Sequence, residues 1–321
     1  MHAISDKFGR SFKTLRVSLT NSCNATCSYC VDPTKKKESC SVANSRQPLN
    51  TEQYLKAIES LNNILSLNTV RLTGGEPTLY HELEDLIKGI HNLGIKNIKM
   101  TSNGILLSNK LEKFVDAGLS SLNLSLDTIN IDAAEQLNQK HSLKKVLDSL
   151  DKALLLELPV KVNAVVNKGK NDQQTLVELF NFCKSKNVPI RFLELMKMGH
   201  IFNHFEELFV SEKEILKTIK EHYSFSPIER TSGSTANYWN TEDGYKFGVI
   251  SNFSKPFCDD CNRLRLDSYG NIYGCLSTNI PINIANYLDN KVLIQEDLTV
   301  AIGHKKTKFS GSKLSMKHIG G

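Results

Sequence analysis

The 321-residue sequence lacks an apolar run long enough to span a membrane as a helix, and its opening residues, Met1-His2-Ala3-Ile4-Ser5, carry no signal-like apolar core. A cytoplasmic location and no membrane partner are therefore expected. Low-complexity linkers and internal repeats longer than a strand–helix unit are also missing. Forty Lys and Arg against 34 Asp and Glu leave a net charge of only +6. That is short of the basic stripe of a dedicated nucleic-acid binder, so no nucleic-acid partner is expected, yet it suits a small anionic substrate. With 40% hydrophobic and 23% charged residues, the composition is that of a folded globular chain. The length allows a sizeable core, in one large and one smaller domain.

Eight cysteines are present. In a cytosolic chain this number points to metal or redox chemistry rather than disulfides. Six form two triads. Cys23, Cys27 and Cys30 follow the strand-like run Leu15-Arg16-Val17-Ser18-Leu19. Three close thiolates can hold three irons of a cubane and leave the fourth open to a small molecule. The alternative is a structural zinc knuckle, but the loop offers no fourth ligand short of Cys40. The second triad is Cys258, Cys261 and Cys275, and zinc completed by His222 or His304 is the alternative there. Beyond Cys261 runs Asn262-Arg263-Leu264-Arg265-Leu266. In an extended segment Arg263 and Arg265 share a face, where their guanidinium forks suit a polyphosphate unless they are merely solvated. Cys183 fits the buried stripe of a helix, and Cys40 reads as a spare thiol.

Strand patterns over 14–19, 69–73, 96–101, 121–126, 160–166 and 189–195 alternate with helical patterns over 51–66, 81–93, 108–117, 142–157 and 172–186. Asn50 with Gln53, Ser108 before Leu111, and Ser211 with Glu214 read as helix starts, and Gly94 and Gly118 as helix ends. Six strand–helix units imply a parallel sheet with right-handed crossovers. Polar groups gather after the strands: the cysteine loop, Gly74-Gly75-Glu76, Thr101-Ser102-Asn103-Gly104, Ser125-Leu126-Asp127 and Glu194 to Met196. That favours an α/β fold built as a partial (βα)6 TIM-like barrel over 1–210. A smaller C-terminal α+β domain over 211–321, packed on the open side, would carry the second triad and substrate contacts.

Leu72-Thr73-Gly74-Gly75-Glu76-Pro77 is either a tight strand-to-helix turn or a loop whose glycines let backbone approach a ligand. Its glutamate would accept from an ammonium group. Together with the cysteine loop it resembles the S-adenosylmethionine (SAM) motif of radical SAM enzymes. With Gly9-Arg10, Arg191-Phe192-Leu193-Glu194-Leu195-Met196, the second triad, the arginine pair and the closing Ile319-Gly320-Gly321, the whole chain resembles the GTP 3′,8-cyclase family. That family opens molybdenum cofactor biosynthesis.

The resemblance implies two [4Fe-4S] clusters, on Cys23/Cys27/Cys30 and Cys258/Cys261/Cys275, the first being catalytic. It implies SAM lined by Tyr29, Gly74, Gly75, Glu76, Ser125 and Met196. GTP would be held by Arg16, Arg71, Thr101, Lys161, Arg191, Arg263, Leu264 and Arg265. A lyase activity, a flavodoxin- or ferredoxin-type electron donor, a homodimer and a downstream cyclic pyranopterin monophosphate synthase are implied as well. The family's Gly-Gly tail is thought to reach the arginines. One position departs: the family usually has Lys where this chain has Thr69, and Lys99 is a nearby cation able to replace it. The Lys35-Lys36-Lys37 run is unusually basic. The alternative functions are another radical SAM enzyme acting on a peptide or an RNA, and a non-catalytic zinc scaffold.

Overall fold

A computed structural model describes residues 4–32, 47–278 and 280–316. Cys40, the Lys35-Lys36-Lys37 run and the Ile319-Gly320-Gly321 tail lie outside the described residues.

Six parallel strands form the centre: β1 (Thr14–Ser18), β2 (Thr69–Thr73), β3 (Asn97–Ser102), β4 (Leu119–Ser125), β5 (Val160–Val166) and β6 (Ile190–Glu194). They lie in chain order, and the sheet does not close. Between them run α1 (Thr51–Leu65), α2 (Leu83–Asn92), α3 (Leu111–Asp116), the short α4 (Ile131–Gln136) with α5 (Leu143–Leu155), and α6 (Gln173–Ser185). This is the partial (βα)6 barrel.

The remaining strands lengthen the sheet at both ends. They are β7 (Phe225–Ile228), β8 (Asn237–Thr241), β9 (Lys246–Ile250), β10 (Arg263–Leu266), β11 (Asn271–Tyr273) and β12 (Ile282–Asn283). β9 joins β6 and β10 joins β1, both in parallel, and the full order is β12-β11-β10-β1-β2-β3-β4-β5-β6-β9-β8-β7. The sheet edges that a partial barrel would leave bare are thus paired.

Local sequence accounts for much of this. Asn50 and Gln53 cap α1 reciprocally, each side chain accepting from the other's backbone N–H at 2.9 and 3.0 Å. The helix then buries Tyr54, Ala57, Ile58, Leu61 and Leu65, the three-and-four spacing of one helix face. Ser211 and Glu214 cap α8 (Glu212–Lys220), which follows the one-turn α7 (Phe205–Leu208). Gly94 and Gly118 end α2 and α3 with positive φ. The expected start of α3 at Ser108 is corrected. A turn closed by Lys110 N donating to Leu107 O occupies that stretch, and the helix begins at Leu111 without a side-chain cap. Glu194, buried at the end of β6, accepts from the backbone of Glu212, Phe253 and Ser254 at 2.8, 2.9 and 3.0 Å. It ties the later part of the chain to the barrel.

Strand alternation then sorts the residues. Leu15, Val17, Val70, Leu72, Ile98, Met100, Leu122, Leu124, Val162 and Ala164 are buried in the main core. Their alternates, Arg16, Arg71 and Lys99 among them, are left on the opposite face. α9 (Lys291–Gly303), which the sequence reading missed, packs against α1 and β11.

Candidate active site

Parallel pairing in register lines up inward residues in rows. Arg265, Arg16, Arg71 and Lys99 form one row on four adjacent strands. The row below, toward the strands' amino ends, is Arg263, Thr14, Thr69 and Asn97. Across the sheet Lys161 pairs with Asn123, and Arg191 with Asn163 and Gly248. Strands lie about 4.8 Å apart, so cations directly opposite one another repel.

The acid–base behaviour carries that strain. Burial, then Arg265, Arg71 and Arg263, hold Arg16 well below the arginine range. Burial with Arg191 and Arg263 pushes Arg71 down to about 10, and burial with Arg263 does the same to Arg265. Arg16 Nε is buried without a hydrogen-bond partner among the described residues. Leaving such a donor unmade costs on the order of 1–3 kcal/mol, which an anionic ligand would recover. Thr101 Oγ1 lies 3.5 Å from Arg71 and 3.4 Å from the Asn123 amide. Arg191 Nε donates to Asn163 Oδ1 at 2.8 Å. Tyr238 completes this wall: burial raises its phenol, but Arg191 and Lys161, both hydrogen-bonded to it, bring it below its ordinary value. Leu264 can offer the site only its backbone. It is buried in the core, because its place between two inward arginines turns its side chain to the helix-facing side.

The first cysteine loop sits beyond the carboxyl ends of β1 and β2. Gly75 N donates to Thr20 O at 2.6 Å and Glu76 N to Ser22 O at 2.9 Å. A Cβ on Gly75 would stand 2.2 Å from Ser22 O, and one on Gly74 2.7 Å from Thr20 O. What the glycines let approach is therefore the cysteine loop's own backbone. Glu76, expected to meet an ammonium group, turns inward. It is 1% exposed, its Oε1 accepts from Thr78 N, Thr78 Oγ1 and Ser102 Oγ, and its Oε2 from Asn103 N at 2.8 Å. Its carboxylate braces the loop.

Donors point at the sulfurs. Gln139 Nε2 lies 3.1 Å from Cys27 Sγ and 2.6 Å from Asp127 Oδ2, while Ala25 N lies 3.4 Å from Cys23 Sγ. The Asn103 amide is 3.6 Å from Cys23 Sγ. Asp127 also accepts from Tyr29 Oη and from Val165 N, both at 2.7 Å. Burial, then Asp127, push the Cys27 thiol up to about 12. Cys27, Tyr29, Asn103, Ser125 and Gln139 share the wall of a narrow cavity. Met196 packs beside Met198 and Tyr273 and does not line that cavity.

The second triad lies at the opposite end, just before the amino end of β10. Cys261 N donates to Cys258 O at 3.2 Å. Burial, then Cys261 and Cys275, push Cys258 up to about 11. Burial also raises Cys261, but Arg263 and Lys305 outweigh it and hold that thiol at about 6. Lys305 is 6% exposed, and its Nζ donates to Cys261 Sγ, Arg263 O and Gly274 O at 3.4, 2.9 and 2.8 Å. Arg10, held by Asp6, donates to Cys258 O at 2.6 Å. Asp260 is gripped by both Nη atoms of Arg230 at 2.8 Å.

Among the described residues, no three His, Cys, Asp or Glu side chains are set to hold one metal ion. A closed zinc site draws its ligands around a single centre, whereas a cubane spreads its thiolates over separate irons. Half-buried thiols with N–H groups aimed at sulfur fit the latter. Asn103, Gln139, Tyr238, Lys305 and Arg10 were not singled out from the sequence as site residues. Only Asn103 and Arg10 lie in motifs it marked.

Residues 17–183 match the family model of the Radical SAM superfamily, and residues 188–310 match that of Molybdenum Cofactor Synthesis C. The GTP 3′,8-cyclase of Aquifex aeolicus is 36% identical, over 97% of this chain and 95% of the relative. That of Clostridium botulinum is 33% identical over 98% and 99%, and that of Synechocystis 35% over 88% and 84%. Among solved structures, Streptococcus suis SuiB bound to S-adenosylmethionine aligns with a TM-score of 0.59 at 15% identity, over 92% of this chain and 68% of that one. Native anSMEcpe with bound AdoMet aligns at 0.58, with 15% identity, over 87% and 80%.

Proposed function

This chain belongs to the GTP 3′,8-cyclase family of radical SAM enzymes, and on that premise we propose how its residues divide the work. The reaction joins C3′ of the GTP ribose to C8 of guanine, giving (8S)-3′,8-cyclo-7,8-dihydroguanosine 5′-triphosphate, the first step of molybdenum cofactor biosynthesis. SAM and an iron–sulfur cluster, when bound, supply the 5′-deoxyadenosyl radical that starts it.

Cys23, Cys27 and Cys30 would hold that cluster, and Asn103 and Gln139 would tune it through N–H···S bonds. The Gly74–Gly75 backbone, Tyr29 and Ser125 would bound the SAM site, with Glu76 as its brace and Met196 at its margin. Cys258, Cys261 and Cys275 would hold a second [4Fe-4S] cluster and anchor the guanine end. Arg16, Arg71, Arg263 and Arg265 would bind the triphosphate, with Thr101, Lys161 and Arg191 fixing the rest of the nucleotide. Leu264 contributes only backbone.

The reading rests on one relationship: the two triads lie at opposite ends of the paired β1 and β10, with the cation row between them. From the register of Thr14 to Ser18 is about 13 Å of strand, enough for a nucleotide held at both ends. Specificity then comes from fixing one C–H bond beside the radical, not from acid–base power. We also propose the lyase class, a homodimer, a flavodoxin- or ferredoxin-type donor and a cyclic pyranopterin monophosphate synthase downstream. The division near residue 210 belongs to the same reading, with radical generation before it and the second cluster after it. A peptide or RNA substrate is less supported, since likeness to SuiB and anSMEcpe is one of fold alone.

Anaerobic incubation with GTP, SAM and a strong reductant tests this. 5′-Deoxyadenosine and cyclised nucleotide should form together. No deoxyadenosine above a GTP-free control would contradict it.

A further inference from the structure

Lys99 lies outside every motif so far used, yet it stands beside Arg71 in the pairing of β2 with β3. Its neighbours on the inward face, Asn97 and Thr101, are neutral. It forms no hydrogen bond or ion pair with any described residue. Burial, then Arg71, Lys161 and Arg191, disfavour its ammonium, and Tyr238 partly offsets them. In the row below, the corresponding positions on β1, β2 and β3 are Thr14, Thr69 and Asn97, none of them cationic.

An ammonium kept half-buried among three like charges is unfavourable unless an anion completes the cluster. A single carboxylate would suffice for one lysine. Four cations abreast on β10, β1, β2 and β3 call for something longer and more highly charged. We propose that Lys99 is a phosphate-binding residue of the nucleotide site, extending the row past Arg71 so that it grips the triphosphate along its length. The hydroxyl of Thr69, one row lower, then carries none of that charge. This assignment rests on the GTP reading given above and adds a contact to it.

Equilibrium dialysis under anaerobic conditions, without SAM or reductant, tests it with GTP and with guanosine as separate probes. Lys99→Met should weaken GTP by roughly tenfold to a hundredfold, as loss of one charge-assisted contact does, and leave guanosine unchanged. Lys99→Arg should keep most of the GTP affinity. Iron content equal to wild type shows that the variant is intact. Should Lys99→Met misfold, Lys99→Gln supplies the same comparison. Wild-type GTP affinity in the Met variant, or equal losses for GTP and guanosine, would overturn the assignment while leaving the cyclase reading in place. Failure of the wild-type chain to bind GTP would sink both.

Discussion

Arg16 and Arg265 stand opposite each other in the parallel β1–β10 pair, and each belongs to a different end of the chain. The row of cations is therefore assembled only when β10 docks beside β1. Arg265 heads the charges that hold Arg16 down, so the pair stores repulsion that a polyanion relieves.

Removing one member should separate binding from stability. Arg16→Met is expected to weaken GTP by about tenfold or more while the ligand-free melting temperature stays level or rises. Arg16→Lys should recover only part of the affinity, because an ammonium lacks the guanidinium fork. Calorimetric titration with parallel thermal melts measures both. Unchanged GTP affinity would take Arg16 out of the phosphate site.

Gly75→Ala places a methyl group 2.2 Å from Ser22 O, a backbone atom that cannot move aside cheaply. The cysteine loop should shift, at a cost of about 1–3 kcal/mol. Iron analysis is expected to show loss at the first site with retention at the second. Full iron at both would mean the glycine platform does not set the loop.

Tyr238 gives a pH dependence of defined sign. Lys161 and Arg191 outweigh burial and lower its phenol below the ordinary value of 10.0. Below that lowered pKa the hydroxyl is neutral and GTP meets two undivided cations. As pH rises through it, the phenolate competes for them and GTP affinity should fall. Tyr238→Phe should make this fall smaller and move it to higher pH, leaving only the loss due to the lowered cations of the row, checked by GTP binding across pH 7 to about 10. An identical fall in the variant would point to another group.

Lys305 is a buried ammonium whose anionic neighbour is a thiol, Cys261. It also donates to the carbonyls of Arg263 and of Gly274, the residue before Cys275, so it joins the two halves of the second triad. Lys305→Met should lower iron and sulfide at that site several-fold, leaving the first intact, and Lys305→Arg should retain more. Site-resolved electron paramagnetic resonance with iron counting would show it. Wild-type occupancy in the Met variant would reduce Lys305 to packing.

Much of this was legible in the sequence. The central strands, the caps at Asn50 and Ser211 and both cysteine triads follow from local spacing, which strand alternation and helix ends enforce. The pairing of residue 16 with 265, or of 71 with 99, was not, because register between distant strands is fixed by packing of the intervening helices. Glu76 looked like a ligand because a carboxylate beside two glycines invites one. Only its neighbours Thr78, Ser102 and Asn103 reveal that its carboxylate also braces the loop. Lys305 carries no sequence signal, lying 44 residues from the cysteine that it serves.

The two triads serving different steps is the claim on which the account stands, and paired cysteine variants test it. Cys27→Ser should yield neither 5′-deoxyadenosine nor cyclised nucleotide under anaerobic turnover. Cys261→Ser should still cleave SAM but form little or no cyclised product and retain GTP poorly. If both folded variants lost the two products in the same proportion, the division of labour along β1 and β10 would be wrong.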